Sequence, residues 1–164
     1  MHETSVLESD SDPFAMAIPV SDRVQIQNVL IVESLSKRAP DERFAQGGFS
    51  LAHDFMSLGF EKLEDPTRLA IKLGFTLRST RNGETEIDPT LSVAAIFIIT
   101  YEISSFEGIE DANLQAFAAT NGVYNAWPYW REFVQNMTVR MGLPAITAPV
   151  FRFPIATSSD KPPE

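Results

Sequence analysis

The sequence predicts an α+β fold in which four strands precede a helical C-terminal segment. Three observations carry this. Leu69, Ile71, Leu73, Phe75 and Leu77 recur at every second residue, the period of a strand with one buried face. Leu91 to Ile103 is apolar on both sides in its middle, where Ile96 and Ile98 oppose Phe97 and Ile99, as in a strand with something lying against each face. After Gly108 the chain becomes Ala-rich and apolar residues recur at spacings of three and four, the mark of amphipathic helix.

In chain order, residues 1 to 20 are acidic and Ser-rich, with Glu3, Glu8, Asp10 and Asp12 and breaks at Pro13 and Pro19. Such a stretch buries too little apolar area to offset the entropy of ordering, so a disordered arm is expected. Its acids are also the wrong chemistry for a secretory leader, which points to the cytoplasm. Val24, Ile26 and Val29 to Val32, alternating at first with Gln25 and Gln27, form the first strand. Lys37 to Ser50 then carries Pro40, the charged trio Asp41, Glu42 and Arg43, and Gly47-Gly48, which reads as a long irregular connection. Its Phe44 and Phe49 either offer mobile aromatic area or tuck into the core.

His53 to Leu63 forms a second strand, with Met56, Leu58 and Phe60 on one face. The third is the Leu69 to Leu77 alternation. Asn82-Gly83 signals a turn, lengthened by polar residues as far as Pro89, before the antiparallel return over Leu91 to Ile103. A short helix is predicted from about Glu110 to Thr120, with acids in its first turn and Gly122 placed to stop it. A second begins near Pro128, a residue tolerated in a first turn, and ends at Gly142 before Leu143-Pro144. Trp127, Trp130, Val134, Met137 and Met141 make one stripe along it, which by itself reads as core. Residues 154 to 164 read as a disordered tail, leaving one folded domain over 21 to 153.

Composition removes several functions. No cysteine is present, so disulfides, thiolate nucleophiles and sulfur-ligated metals are excluded. The longest apolar run, Val93 to Ile99, is far short of the roughly 20 residues of a membrane-spanning helix. A formal net charge of -9 repels phosphate backbones, so nucleic acid is a poor partner. His2 and His53 are the two histidines, with no convergent ligand or base for either. The carboxylate pairs Glu64-Asp65 and Glu110-Asp111 are sequence neighbours that point apart. Gly47-Gly48 lacks the spacing and following Lys of a phosphate loop. No catalytic residue, metal or cofactor is expected, and the chain does not read as an enzyme.

Trp127-Pro128-Tyr129-Trp130-Arg131-Glu132 is similar to the aromatic-Pro-Tyr-x-Arg-Glu run of the SecB-type export chaperones. Gly142-Leu143-Pro144 and Ala148-Pro149-Val150 follow in the family's order. A weaker likeness reaches back through Val24-Gln25-Ile26-Gln27 and the strands between Leu69 and Ile103, so the resemblance spans about residues 20 to 152. It implies a four-stranded antiparallel sheet with a long helix packed on it, assembling as a dimer or tetramer with helices between sheets. It also implies a cytoplasmic chaperone that holds unfolded or precursor polypeptides for export without nucleotide, in grooves made by the connection over Lys37 to Ser50 and by the helix. Phe44, Phe49, Phe55, Trp127 and Tyr129 become the candidate client-binding residues, with the stripe from Trp127 to Met141 as core or oligomer interface. Two departures put the SecA motor in question as a partner: Phe151-Arg152-Phe153-Pro154 leads into a polar end where the family has a second helix, and Leu91 to Ile103 offers only Glu102 to an acidic docking face. A dedicated chaperone of a toxin-antitoxin system, or an interaction module without clients, would share the fold.

Overall fold

Strict alternation over Thr67 to Arg81 does what period-two patterning requires. Leu69, Ile71, Leu73, Phe75 and Leu77 are all buried on one face, while Arg68, Ala70, Lys72 and Arg78 stand on the other. The structure is a computed structural model in which residues 12–45, 47–64, 67–81, 84–85 and 87–152 are described. Four long strands, β1 (Val24–Arg38), β2 (Phe49–Glu64), β3 (Thr67–Arg81) and β5 (Leu91–Ile103), form an antiparallel sheet in the order β1-β5-β3-β2, and the two-residue β4 (Glu84–Thr85) pairs with the end of β3. β3 and β5 are central. Their cross-strand pairs Leu69↔Tyr101, Ile71↔Ile99, Leu73↔Phe97 and Leu77↔Val93 make the floor of the core.

Strands β1 and β2 run longer than their apolar patterns suggest, because neighbouring strands supply backbone partners where side chains give no cue. β1 extends to Arg38 and β2 begins at Phe49, so the connection shrinks to ten residues, one turn of which is helix α2 (Asp41–Ala45). It must cross from one edge of the sheet to the other. Hydrogen bonds pin it to the β3–β5 connection and to the end of β3 on the way: Ala39 N donates to Thr90 O at 2.8 Å, Arg43 to the Asp88 carboxylate at 2.8 Å, and Arg81 Nη1 to Gly47 O at 3.3 Å. The Asn82-Gly83 turn lies outside the described residues.

The expected disordered arm is corrected over its second half. Pro13–Ser21 is a helix, α1, with Pro13 in its first turn and the Asp12 carboxylate accepting from Phe14 N at 3.0 Å. Pro13 suits a first turn, whereas Pro19 lies inside the helix, where it supplies no backbone N–H. Ala17 and Val20 are buried in the same core as the sheet, and Asn113 Nδ2 donates to Met16 O at 2.9 Å. Residues 1–11 lie outside the described part, as does the expected tail from 154.

The two predicted C-terminal helices are one. Asp111–Phe117 (α3) continues through a π-helical turn, Ala118–Gly122, into Val123–Arg140 (α4). Gly122 does not stop the helix. Its φ is -58, fully helical, and a Cβ there would sit 3.4 Å from Ile71 Cγ2. The glycine lets helix and sheet approach closely rather than ending the helix. Pro128 likewise lies inside α4 rather than at the start of a helix. Gly142, with φ 75, does end it.

Helices cover one face of the sheet among the described residues. The even-numbered residues of β5 are half-buried rather than covered, so the two-sided covering predicted for Leu91 to Ile103 is met on one side within this chain. In the core Tyr101 accepts from Asn125 Nδ2 at 3.0 Å, and burial pushes its phenol up to about 12, against the lowering effect of that bond.

Candidate functional site

Helix α4 crosses the sheet diagonally, as its contacts show. Near its start Trp127 meets Phe75 at 6.0 Å between ring centroids and Phe55 of β2 at 6.1 Å; Trp130 stacks on Phe75 at 5.5 Å; Phe133 reaches Phe97 of β5; and at the far end the β1 residue Arg38 donates to Met141 O at 2.8 Å. A guanidinium on the last carbonyls of a helix also meets the negative end of its dipole. The stripe is therefore core at Trp127, Trp130 and Val134, all buried, and Met137 and Met141 pack partly buried against that core.

An aromatic cleft opens where α4 begins. Its wall on β2 is Phe55, 44% exposed and paired in register with Phe75. Its base is Trp127, and His53 closes one side with its ring 6.4 Å from Trp127. Phe151, from the segment after α4, stands against both Phe55 and Trp127. Burial holds the His53 imidazole below its ordinary value, opposed by the neighbouring Asp54 carboxylate, so the cleft stays neutral toward mildly acidic pH. Such a site can take flat or bulky apolar side chains.

The candidate residues do not converge on one site. Phe55 and Trp127 share the cleft. Phe44 sits at the other end of α4, half-buried beneath the Arg38 guanidinium at 5.1 Å. Fourteen helical residues separate these places, about 21 Å at 1.5 Å per residue. Tyr129 is 46% exposed and lies on the side of α4 away from the sheet. The Phe49 side chain lies outside the described part of the structure. His53 and Phe151 are the residues that sequence reasoning did not place in the cleft. His53 had a signal in strand parity, since it shares the odd-numbered face of Phe55; Phe151 follows from a chain reversal that no periodicity records.

A second apolar concavity, of about 400 Å³, lies on the opposite face of the sheet. Leu35, Met56, Leu58 and Ile96 wall it, with Gly74 and Ala94 between them. A Cβ at Gly74 would stand 3.3 Å from Leu58 Cδ1, so the absent side chain keeps this floor low. Among the described residues no three His, Cys, Asp or Glu side chains gather to hold a metal, and no helix is long and apolar enough to cross a membrane.

In the comparison with solved structures, the Rv1957 SecB-like chaperone of Mycobacterium tuberculosis aligns with a TM-score of 0.69, covering 87% of this chain and 100% of that one at 21% identity. The fold is SecB-like. That SecB-like structure was solved in complex with a ChAD peptide from the Rv1956 HigA1 antitoxin. By sequence, the SecB-like chaperones Rv1957 and MT2006, from two strains of Mycobacterium tuberculosis, are each 33% identical over 84 residues. The aligned part is 48% of this chain, and the chain spans about half the length of the curated relatives it matches, 46%. No family model matches the sequence. The SecB-like relatives thus carry the name of chaperones, not of enzymes, and the fold agrees with the resemblance read from Trp127 to Val150.

Proposed function

We propose that this chain is a polypeptide-holding chaperone of the SecB-like kind, acting without nucleotide in the cytoplasm. The observation that carries the reading is the neutral aromatic cleft of Phe55 and Trp127, open to solvent at the edge of a SecB-like sheet. Of the two rings Phe55 is 44% exposed and Trp127 is buried, so Phe55 is the surface that a client would meet first. An extended client segment would place its apolar side chains in the cleft and on the rings beside it, while the net charge of -9 keeps the chaperone itself dispersed.

Two narrower readings differ in the client. One is general holding of precursors for export; the other is dedicated service to a single antitoxin, which the antitoxin peptide on the Rv1957 structure favours. SecA would be a partner only of the first. We further propose that the working unit is an oligomer built through β1. This fifteen-residue strand is at the edge of the sheet, and Ile26, Leu30, Ile31, Val32 and Leu35 along it are each more than two-fifths exposed. A long apolar edge is a template for another strand, and a second copy of β1 supplies one with matching pattern.

The test is dilution of a guanidinium-unfolded model enzyme into buffer with the chaperone at stoichiometric ratio, followed by light scattering. Wild type is expected to suppress aggregation, and Phe55→Asp to lose most of the effect at unchanged native mass. Scattering that rises as fast with wild type as without it would overturn the reading. Titration with antitoxin peptides encoded beside the gene, against unrelated unfolded chains, separates the dedicated version from the general one.

A further inference from the structure

After Gly142 the chain does not leave the domain. It reverses and runs back along α4 as an extended strap. Ile146 N donates to Thr138 Oγ1 at 3.1 Å, Arg131 Nε to Ala148 O at 2.9 Å, and Trp127 Nε1 to Pro149 O at 2.8 Å. Each successive anchor lies closer to the start of α4. Ala148 is fully buried under these bonds, Val150 is 67% exposed, and Phe151 then turns inward. Its ring centroid lies 5.2 Å from Phe55, edge-on at 67°, and 5.1 Å from Trp127.

We infer that Phe151 is a resident occupant of the aromatic cleft, a built-in stand-in for the client, and that the cleft's external ligand is an aromatic side chain on an extended segment that must displace it. This deepens the client-holding reading and rests on it. The spacing is that of favourable aromatic pairs, 4.5–7 Å between centroids. Phe55, at 44% exposure, shows that the ring fills the cleft without sealing it. The strap carries no helix or strand among its described residues, and the Trp127 bond to Pro149 O lies two residues before the ring.

A tethered ring competes as though it were present at about millimolar concentration, the usual scale for a short flexible link. Isolated apolar side chains therefore lose to Phe151, whereas a client that adds contacts along α4 or β2 wins. The device keeps Trp127 covered and Phe55 partly covered when no client is present, and sets a threshold for occupancy. It also selects for chemistry: the groups in ring contact with the occupant are aromatic and neutral, so a planar ring replaces Phe151 with the least loss.

The experiment measures binding of a fluorescently labelled short peptide with a central phenylalanine, and of the same peptide with alanine there, to the full chain. Phe151→Ala is expected to bind the phenylalanine peptide about tenfold more tightly than wild type, about 1.4 kcal/mol, with little change for the alanine peptide. Phe151→Leu, which keeps apolar volume without the flat ring, is expected to fall between them, and circular dichroism checks that both variants are folded. Binding by wild type that is unchanged or weakened in Phe151→Ala, or a gain equal for both peptides, overturns this inference and leaves the client-holding reading standing. If folded wild type and variant both fail to bind any peptide, the client-holding reading falls and takes this inference with it.

Discussion

Replacing Thr138 by valine tests how the strap is held, because the change keeps the shape of the side chain and removes one oxygen. Thr138 is fully buried, and its hydroxyl donates toward Val134 O at 3.0 Å and Gln135 O at 3.1 Å while accepting from Ile146 N at 3.1 Å. The two helix carbonyls have backbone partners of their own, so losing the hydroxyl there costs little. Ile146 N has its strap anchor in that oxygen. A net hydrogen bond is worth about 1 kcal/mol, with more lost where the stranded N–H is shielded from water. Since Ile146 is half-buried, the smaller figure applies, and 1 kcal/mol raises the open population of the strap about fivefold. Hydrogen exchange read by mass spectrometry should show residues 143–152 exchanging about fivefold faster in Thr138→Val, with β3 and β5 unchanged. Client peptide should also bind somewhat more tightly, although no atom of the cleft has been altered. Faster exchange spread evenly over the sheet, or a strap as protected as in wild type, would refute the idea that Thr138 anchors a separable segment.

The remaining expectations concern pH, packing and assembly. The folded-state value of His53 is depressed by burial, so below about pH 6.5 the unfolded chain binds a proton that the folded one resists, and stability falls with falling pH. His53→Gln should flatten that acid-side loss in melting temperatures taken from pH 7 to pH 5, and an unchanged slope would count against it. Gly122→Leu, forced against Ile71, should cost about 1–3 kcal/mol in denaturant unfolding, whereas Gly122→Ala, meeting Ile71 at 3.4 Å, should stay within about 1 kcal/mol of wild type, since helix propensity offsets the contact. Phe75→Ala removes the ring shared by Phe55, Phe97, Trp127 and Trp130 and should cost about 3–5 kcal/mol. Ile31→Lys on the β1 edge should lower the mass seen by light scattering to that of one chain, and an unaltered mass would place the assembly elsewhere.

What could be read beforehand follows from where side-chain pattern and backbone agree. Leu69 to Leu77 and Leu91 to Ile103 are legible because every second residue of each is apolar and faces one core. Arg38 and Phe49 were not recognisable as strand residues, since pairing with β5 and β3 extends the ladder beyond the apolar run. The break read at Gly122 came from treating glycine and proline as punctuation, when tertiary contact with Ile71 had another use for the small residue. Pro13 and Pro19 misled in the same way, because Ala17 and Val20 found burial that a local reading cannot see. For the cleft, Phe55 and Trp127 came from family likeness, and their partners His53 and Phe151 come together only once β2 and the strap are placed in space. Phe44 was grouped with them because both the loop and the helix were expected to border one groove; the diagonal course of α4 puts it at the other end.

A sheet with two edges can grow in two directions, and whether it does decides between a closed particle and a fibre. The two edges here are unalike. Along β1 the run Val29 to Val32 is apolar, although its ladder with β5 also shifts register, at Ile26/Asn28 and at Ile31/Glu33. Along β2 the ladder is broken between Ser57 and Gly59, Gly59 takes φ 125, and Asp54, Glu61, Lys62 and Glu64 crowd the strand, with Lys62 held at 2.6 Å by Asp111. A margin crowded with charge is a poor template for another chain. Head-to-tail addition, which needs both margins, is thereby discouraged, and joining of like edges consumes the adhesive one in a single event. On the proposed function, the asymmetry would give an assembly of copies a natural stopping point, of particular value to a chaperone that stays in contact with sticky chains.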